Sequence, residues 1–407
     1  MKSHKARTFL CAGALLAVAV TAGNLAQAQT SSVTWTGNAG DGLWSTAGNW
    51  NPRHVPGSTS DVCIPTFAQA DATPPISIHS LQISEGGSLI IESGKAGASF
   101  SIAASLSNPG GIQLFGAALS AGSIDMPNPG NITAYDNSSI TSPAFSNSTG
   151  TLSVGTGGTL RLAHNPVQLQ NGILSGGNWD VSGVLVVPSD ISQITTQSGA
   201  AFGTVVSIDG PGSAVQTAGH NALGVLTSVG SGSVLAVFDG ASLTVGQDLT
   251  SQGVVDVGSG SGGSLTVNGT YTQATGATTN MGGSAGLLSA TSVDVQSGST
   301  LQGLGTVASS VTNNNGTVAP QASLTVTGNY SQTAGGALNE QFGTTLHVNL
   351  NASLSGALNV TVNPKHAPQS GATYTALTFG SLSGDFTSVT NGFTATTKAN
   401  SIVVKKQ

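Results

Sequence analysis

Short runs of alternating apolar and polar residues follow one another along most of the chain from about residue 76 onward. Examples are Ser88-Leu89-Ile90-Ile91, Val234-Leu235-Ala236-Val237 and Val254-Val255-Asp256-Val257, each bounded by Gly, Ser, Asn or Asp. Alternation with period two predicts β-strands, and the Gly-rich interruptions predict turns. Helical periodicity is nearly absent after the first 28 residues. The pattern therefore predicts an all-β fold.

The strands share a recurring signature, a Gly followed by Ser or Thr and then Leu. It occurs at Gly87-Ser88-Leu89, Gly158-Thr159-Leu160, Gly240-Ala241-Ser242-Leu243, Gly263-Ser264-Leu265 and Gly298-Ser299-Thr300-Leu301, and Ala322-Ser323-Leu324 fits the same slot. The steps from Leu243 to Leu265 and from Leu301 to Leu324 are about 22 residues, a length typical of stacked repeats. Two copies continue alike, through Tyr271 and Tyr330.

A unit of this size cannot bury its own apolar face, whereas stacked units share one continuous apolar column. We therefore expect a single-stranded parallel β-helix, or β-solenoid, of around a dozen coils over residues 76–345. A string of small antiparallel sandwiches is the competing architecture, but its domains are longer than these repeats. The Trp-rich residues 29–75 predict an N-terminal cap, and residues 346–407 predict a C-terminal β cap or short terminal sheet.

The first 28 residues have the pattern of a secretory signal peptide. Lys2, Lys5 and Arg7 precede the apolar run 9–22, and Ala26-Gln27-Ala28 supplies a small–x–small cleavage site. We therefore expect an exported protein, extracellular or at the cell surface, with the periplasm as the alternative.

Charged residues make up only 6% of the chain, against about 25% in an average soluble domain. Without the signal peptide, seven Lys and Arg face sixteen Asp and Glu, which gives roughly −9 with neutral His. No basic patch remains, so nucleic acid and anionic membranes are not expected partners. No later apolar stretch is long enough to predict a membrane span after signal cleavage.

Segments at both ends of the chain carry a resemblance to a known class of proteins. They are Trp35-Thr36-Gly37-Asn38-Ala39-Gly40-Asp41-Gly42-Leu43-Trp44, Gly48-Asn49-Trp50-Asn51-Pro52, the stretch 293–338, and Leu354-Ser355-Gly356-Ala357-Leu358 with Gly384-Asp385-Phe386. The chain resembles bacterial exported β-strand-repeat proteins, which are autotransporter passenger-like. The resemblance implies a secreted or surface-displayed, adhesin-like β-helix. The chain ends at Gln407, without the C-terminal membrane β-barrel of a true autotransporter, so we expect another route of export.

Five aromatic residues are the candidate glycan contacts. Trp35, Trp44 and Trp50 are close in sequence and offer a stacking platform for sugar rings, although sealing the first coil is the expected alternative. Tyr271 and Tyr330 recur at one repeat position, where they line either an outer ridge or, as we expect, an inner stack.

Chemistry-bearing residues are sparse, and no catalytic, cofactor-binding or metal-binding residue is predicted. Glu85 and Glu92 flank a Gly-Gly turn and are the only carboxylate pair whose spacing suits a glycosidase, with Arg161 as a distant cation. Asp41 and Asp61 are expected to be turn residues, since a calcium loop needs several oxygen ligands at short spacing. The threonines are too irregularly spaced along the sequence to predict an ice-binding array.

These observations favour a non-enzymatic structural or adhesin-like protein at the cell surface or in the medium. A carbohydrate-binding or polysaccharide-degrading β-helix is the alternative. Expected partners are cell-surface or extracellular glycans. A long sheet of low charge also favours pairing between exposed edges, so self-association is a further possibility.

Overall fold

A computed structural model describes residues 31–65, 69–93, 99–197 and 203–407. They are nearly all β, with two short 3-10 helices at Ala47–Asn49 and Pro364–His366. The parallel strands stack into a β-solenoid of about 13 turns, as the sequence predicts, and sandwiches are excluded by this parallel pairing. Within the described ranges, no helix has the length and apolar character needed to cross a membrane.

The coils divide into two compact units, one up to Ser153 with Leu160–Val167, the other Val154–Thr159 with Gln168–Gln407. The strands up to the division are β1 (Ser31–Trp35), β2 (Trp50–Asn51), β3 (Ser60–Ile64), β4 (Gln69–Ala72), β5 (Ile76–Ile78), β6 (Ser80–Ile83), β7 (Ser88–Glu92), β8 (Ser99–Ser107), β9 (Gly111–Phe115), β10 (Ala118–Asp125), β11 (Asn131–Tyr135), β12 (Asn137–Thr141), β13 (Phe145–Ser146), β14 (Thr151–Val154) and β15 (Thr159–Leu162).

The remaining strands belong to the second unit. They are β16 (Leu169–Gln170), β17 (Ile173–Ser175), β18 (Asn178–Val181), β19 (Val184–Val186), β20 (Gln193–Thr195), β21 (Val205–Asp209), β22 (Ala214–Thr217), β23 (His220–Asn221), β24 (Ser228–Val229), β25 (Val234–Phe238), β26 (Ala241–Val245), β27 (Leu249–Ser251), β28 (Val254–Val257), β29 (Gly263–Gln273), β30 (Thr278–Gln296), β31 (Thr300–Asn314), β32 (Thr317–Val326), β33 (Tyr330–Gln332), β34 (Ala337–Gln341), β35 (Thr345–Val348), β36 (Asn351–Leu354), β37 (Ala357–Thr361), β38 (Thr373–Thr378), β39 (Ser381–Gly384), β40 (Ser388–Val389), β41 (Phe393–Thr397) and β42 (Ser401–Lys406).

Parallel stacking in the first unit begins at its first described strand. β1 pairs in parallel with β3, which pairs in parallel with β6. The Trp-rich segment therefore supplies part of a coil, and parallel pairing starts before residue 76, the position at which the alternating pattern predicts the first repeat. The short β2 adds an antiparallel edge to β1.

Coils of the second unit present three successive strand segments, and inward residues form columns from coil to coil. One apolar column runs through Leu243, Leu265, Leu288, Val307, Val326 and Val348, each paired with the next. All six side chains are buried. A residue therefore contacts its equivalents in adjacent coils, which is how stacked units share one core.

The 22-residue step is confirmed for Leu243 and Leu265, which are direct partners. It is wrong for Leu301 and Leu324, because Leu301 pairs with Val318, whereas the partner of Leu324 is Gly305. The Gly–Ser–Leu signature therefore marks the start of a strand, and this strand lies on different faces in different coils.

Tight corners explain part of the glycine content. A Cβ at Gly110 would lie 2.4 Å from the carbonyl oxygen of Gly87, and one at Gly253 would lie 2.4 Å from that of Ser233. Both positions lie where a coil turns over the preceding coil, and a side chain there displaces backbone.

The end of the second unit switches to antiparallel pairing. β42 pairs antiparallel with both β38 and β41, so the chain ends in a small terminal sheet. Glu340 on β34 points inward and is 2% exposed; its Oε2 accepts a hydrogen bond from the Tyr374 hydroxyl on β38, at 3.1 Å. Burial raises the pKa of Glu340 well above its ordinary value.

Candidate functional site

The three tryptophans lie inside the first unit. The ring of Trp50 packs edge-on against Trp35 at 4.8 Å and against Trp44 at 4.6 Å between centroids. Trp44 also packs edge-on against Phe100, and the indole N–H of Trp50 donates to the carbonyl oxygen of Trp44. The three side chains are at most 2% exposed, so none offers a ring face to a sugar in this structure.

A polar loop holds this cluster in place. The buried amide of Asn49 donates from Nδ2 to Asp41 Oδ1 and to the carbonyl oxygen of Leu43, and its Oδ1 accepts from the backbone N–H of Ala39. The hydroxyl of Thr46 donates to the other oxygen of Asp41. The Thr46 hydroxyl, the backbone N–H of Leu43 and the Asn49 amide, in that order, lower the pKa of Asp41. Asp41 is therefore a turn residue whose oxygens have protein partners.

Tyr271 and Tyr330 lie in one inward column of the second unit. Its members are Leu249, Tyr271, Val293, Val311, Tyr330 and Ala352, which pair in that order. Both tyrosines are fully buried. The hydroxyl of Tyr330 donates to Gln332 Oε1 at 2.7 Å, and that of Tyr271 pairs with Thr279 Oγ1 at 2.6 Å. Burial raises the pKa of both hydroxyls, so they remain protonated.

The carboxylate pair named from sequence does not form a compact site. Glu85 lies in the turn before β7 and Glu92 ends β7, and both are exposed, as is Arg161 on β15. Among the described residues, no ion pair or hydrogen bond joins these three side chains. No group of three His, Cys, Asp or Glu capable of holding a metal is found in the same part of the chain.

A different acidic cluster lies in the second unit, on consecutive coils. Asp209 ends β21 and pairs with Phe238 of β25, so it lies next to Asp239 on the adjacent coil. Burial raises the pKa of Asp209, and the negative charge of Asp239 raises it further. Burial likewise raises the pKa of Asp180, with a smaller contribution from Asp209. The sequence signal for this cluster is an Asp within one residue of the end of successive strands.

A long polar surface of the second unit is one outward column, which we call the hydroxyl column. It runs through Thr250, Thr272, Asp294, Thr312, Ser331, Ser353 and Ser383, each paired with the next. Within the described ranges, the hydroxyls of Thr272, Thr312 and Ser331 have no hydrogen-bond partner. Six hydroxyls and one carboxylate thus line successive coils, with no cation among them.

A second, shorter outward column of Thr270, Ser292 and Ser310 runs beside the first, and its hydroxyls have protein partners. The hydroxyls of Thr270 and Ser292 are 3.2 Å apart, and Ser310 Oγ accepts from the backbone N–H of Asn329. The Ser and Thr residues of both columns are unevenly spaced in the sequence, so the sequence does not reveal the columns. The coils differ in length, and strand pairing still aligns these residues from one coil to the next. Chemically, the two columns can exchange many neutral hydrogen bonds with a polyhydroxylated surface.

A scan against protein-family models finds no match, and searches of curated proteins and of solved structures find none either.

Proposed function

We propose that this protein is an exported, non-enzymatic β-solenoid that acts as a structural or adhesin-like element at a cell surface or in the extracellular medium. The signal-like residues 1–28 support export, and the hydroxyl-rich outer columns, in which Asp294 is the one charged residue, support adhesion through many weak contacts. The hydroxyl column is the observation on which the proposal rests, because six of its seven positions on successive coils carry a hydroxyl.

A rigid column suits adhesion for an energetic reason. Each hydroxyl–ligand hydrogen bond contributes a net of about 0.5–1.5 kcal/mol, which is little alone. Several such groups held by one backbone bind together without a separate ordering cost for each, as preorganised surfaces do. The low charge of the chain fits this mode, since steering by long-range fields needs clustered charge.

The test is retention of the labelled, purified protein on whole bacterial cells and on cell-wall polysaccharide. The triple variant Thr272→Val, Thr312→Val and Ser331→Ala removes three unpartnered hydroxyls at little cost in shape. Three lost hydrogen bonds of at least about 0.5 kcal/mol each weaken binding about tenfold or more.

The matched control is Thr278→Val, Thr300→Val and Thr317→Val. These threonines are also consecutive partners in one outward column, but Ala337 and Ala357 continue it, so its run of hydroxyls is short. We expect the control to bind like the wild type. Equal loss in both variants, or no retention of the wild type on any surface, contradicts the proposal.

Polysaccharide degradation is the second candidate, and the adjacency of Asp209 and Asp239 on neighbouring coils is the observation that favours it. A carboxyl with a raised pKa can act as a general acid beside a second carboxylate. A reducing-end assay on mixed polysaccharides compares the wild type with Asp209→Asn. Activity that disappears in the variant replaces the adhesive proposal with an enzymatic one, and no activity in either leaves the adhesive proposal standing.

A further inference from the structure

The sheet of the first unit formed by β7, β9 and β11 presents an outer face of distinct composition. The three strands pair in parallel, and their outward residues form three short columns. The columns are Ser88–Gly111–Asn131, Ile90–Gln113–Thr133 and Glu92–Phe115–Tyr135. An apolar edge and a polar floor therefore lie side by side on one face.

The apolar edge is a pair of stacked rings, which we call the aromatic ridge. Phe115 and Tyr135 are direct partners in neighbouring coils, with ring centroids 4.7 Å apart and planes inclined by only 11°. Both side chains are partly exposed, unlike the tryptophans and Tyr271 and Tyr330. Both rings therefore face outward and are not part of the buried apolar core.

The polar floor is a shallow groove of about 350 Å³. Gly111 lies in its floor because it has no side chain, and a Cβ there would meet only the Asn131 side chain, 3.3 Å away. Ser88, Gln113 and Asn131 also line the groove. Within the described ranges their side chains have no hydrogen-bond partner, so two amides and a hydroxyl are available to a ligand.

We propose that this face binds a neutral polysaccharide lying along the strands, with one pyranose ring against the aromatic ridge and the hydroxyls of the adjoining rings on Gln113, Ser88 and Asn131. Gln113 lies two residues from the ridge and Ser88 and Asn131 lie four, so several sugar units are needed to span the face. A pyranose has apolar C–H faces and polar edges, and ligand sites combine aromatic walls with a few convergent polar groups in the same way. Glu92 is the one charged residue of the three columns, and it is an acid, so an anionic uronate chain is disfavoured. The proposal deepens the adhesive function by naming a ligand class, but it places the contact in the other unit.

The experiment is calorimetric titration of the full protein with cellohexaose and xylohexaose as neutral probes and with an oligogalacturonate as the anionic probe. Phe115→Ala with Tyr135→Ala removes the ridge, and we expect affinity for the neutral probes to fall about tenfold or more, as for aromatic anchors in other interfaces. Gly111→Val leaves the rings in place and fills the groove, and it is expected to weaken binding similarly. Melting curves check that each variant remains folded.

The matched control is Thr278→Val, Thr300→Val and Thr317→Val, which lies outside both proposed surfaces, and it is expected to keep wild-type affinity for the oligosaccharides. Unchanged affinity in both first-unit variants overturns the proposal. So does preference for oligogalacturonate, or absence of binding to both neutral probes. If the oligosaccharides bind at the first unit while the hydroxyl-column variant still adheres normally to cells, the adhesive proposal fails and this one stands.

Discussion

The first coil and the later coils of the second unit fill their interiors in different ways. In the first coil, three tryptophans pack edge-on, and the Asp41–Asn49 loop holds the backbone around them. In the later coils, each inward residue contacts its counterpart one coil away, as in the column from Leu243 to Val348. The first arrangement depends on a few residues with many partners, whereas the second distributes its stability over many similar contacts.

We expect the two regions to lose similar stability when a glycine at a backbone corner is replaced. Gly110→Ala in the first unit and Gly253→Ala in the second both place a Cβ 2.4 Å from a carbonyl oxygen of the neighbouring coil. Each substitution is expected to reduce the free energy of unfolding by about 3 kcal/mol or more, which chemical denaturation measures.

Gly111→Ala is the matched control for Gly110→Ala, since its Cβ meets only a side chain. It is expected to be neutral or to stabilise by about 0.5 kcal/mol through the unfolded state. Tolerance of either corner alanine shows that the two units do not share one stacking geometry.

The buried amides should separate the two regions. Asn49→Ala removes three hydrogen bonds at once and leaves Asp41 and two backbone groups with fewer partners, so we expect a loss of about 2–3 kcal/mol. Gln273→Met in the second unit removes one bond, from Nε2 to the carbonyl oxygen of Thr300. Its expected cost is about 1 kcal/mol. The free energies of unfolding are measured by thermal or urea unfolding. Similar losses in the two variants contradict the contrast between the first coil and the later coils.

Much of the fold follows from the sequence, but the register does not. Period-two alternation and Gly-rich turns predict parallel coils, and Leu243 with Leu265 gives one register correctly. The assignment of Leu301 fails because the coil between Thr300 and Thr317 is shorter than the coil before it. Backbone pairing fixes which residues are neighbours, and a fixed repeat length does not.

The sequence does not predict most of the candidate surfaces, because backbone pairing decides which residues are neighbours. Tyr271 and Tyr330 share a motif and do share a column. Phe115 and Tyr135 share no motif, and only the pairing of β9 with β11 brings their rings together. The adjacency of Asp209 and Asp239 likewise depends on the stacking of two coils.

The smallest and most local contrast is in pH dependence. Hydrogen bonds lower the pKa of Asp41, so its ionised form stabilises the first coil. This stabilisation is fully present at a pH above 3.8, the ordinary pKa, and is lost as the pH falls through the lowered pKa. Burial raises the pKa of Glu340, so its protonated form stabilises the region around β34 and β38. This stabilisation is fully present at a pH below 4.5, the ordinary pKa, and is lost as the pH rises through the raised pKa.

Hydrogen exchange, corrected for intrinsic rates, should therefore show β34 and β38 opening faster at pH 8 than at pH 4, with the first coil unaffected over that rise. Glu340→Gln is the control, and it is expected to abolish the change at β34 and β38. Faster exchange in both regions as the pH rises, or the same change at β34 and β38 in Glu340→Gln, contradicts this prediction.

The most direct test of the account is the register that creates the hydroxyl column. Thr312 and Ser331 are direct partners in adjacent coils, while Ser353 lies one coil further. Parallel strands lie about 4.8 Å apart, within the range of a disulfide, whereas two coils span about 9.6 Å, beyond it. Thr312→Cys with Ser331→Cys should cross-link readily under mild oxidation, as mapped by peptide mass spectrometry, and Thr312→Cys with Ser353→Cys should not. Equal cross-linking of both pairs, or cross-linking of the distant pair alone, contradicts the stacked coils from which every surface described above is built.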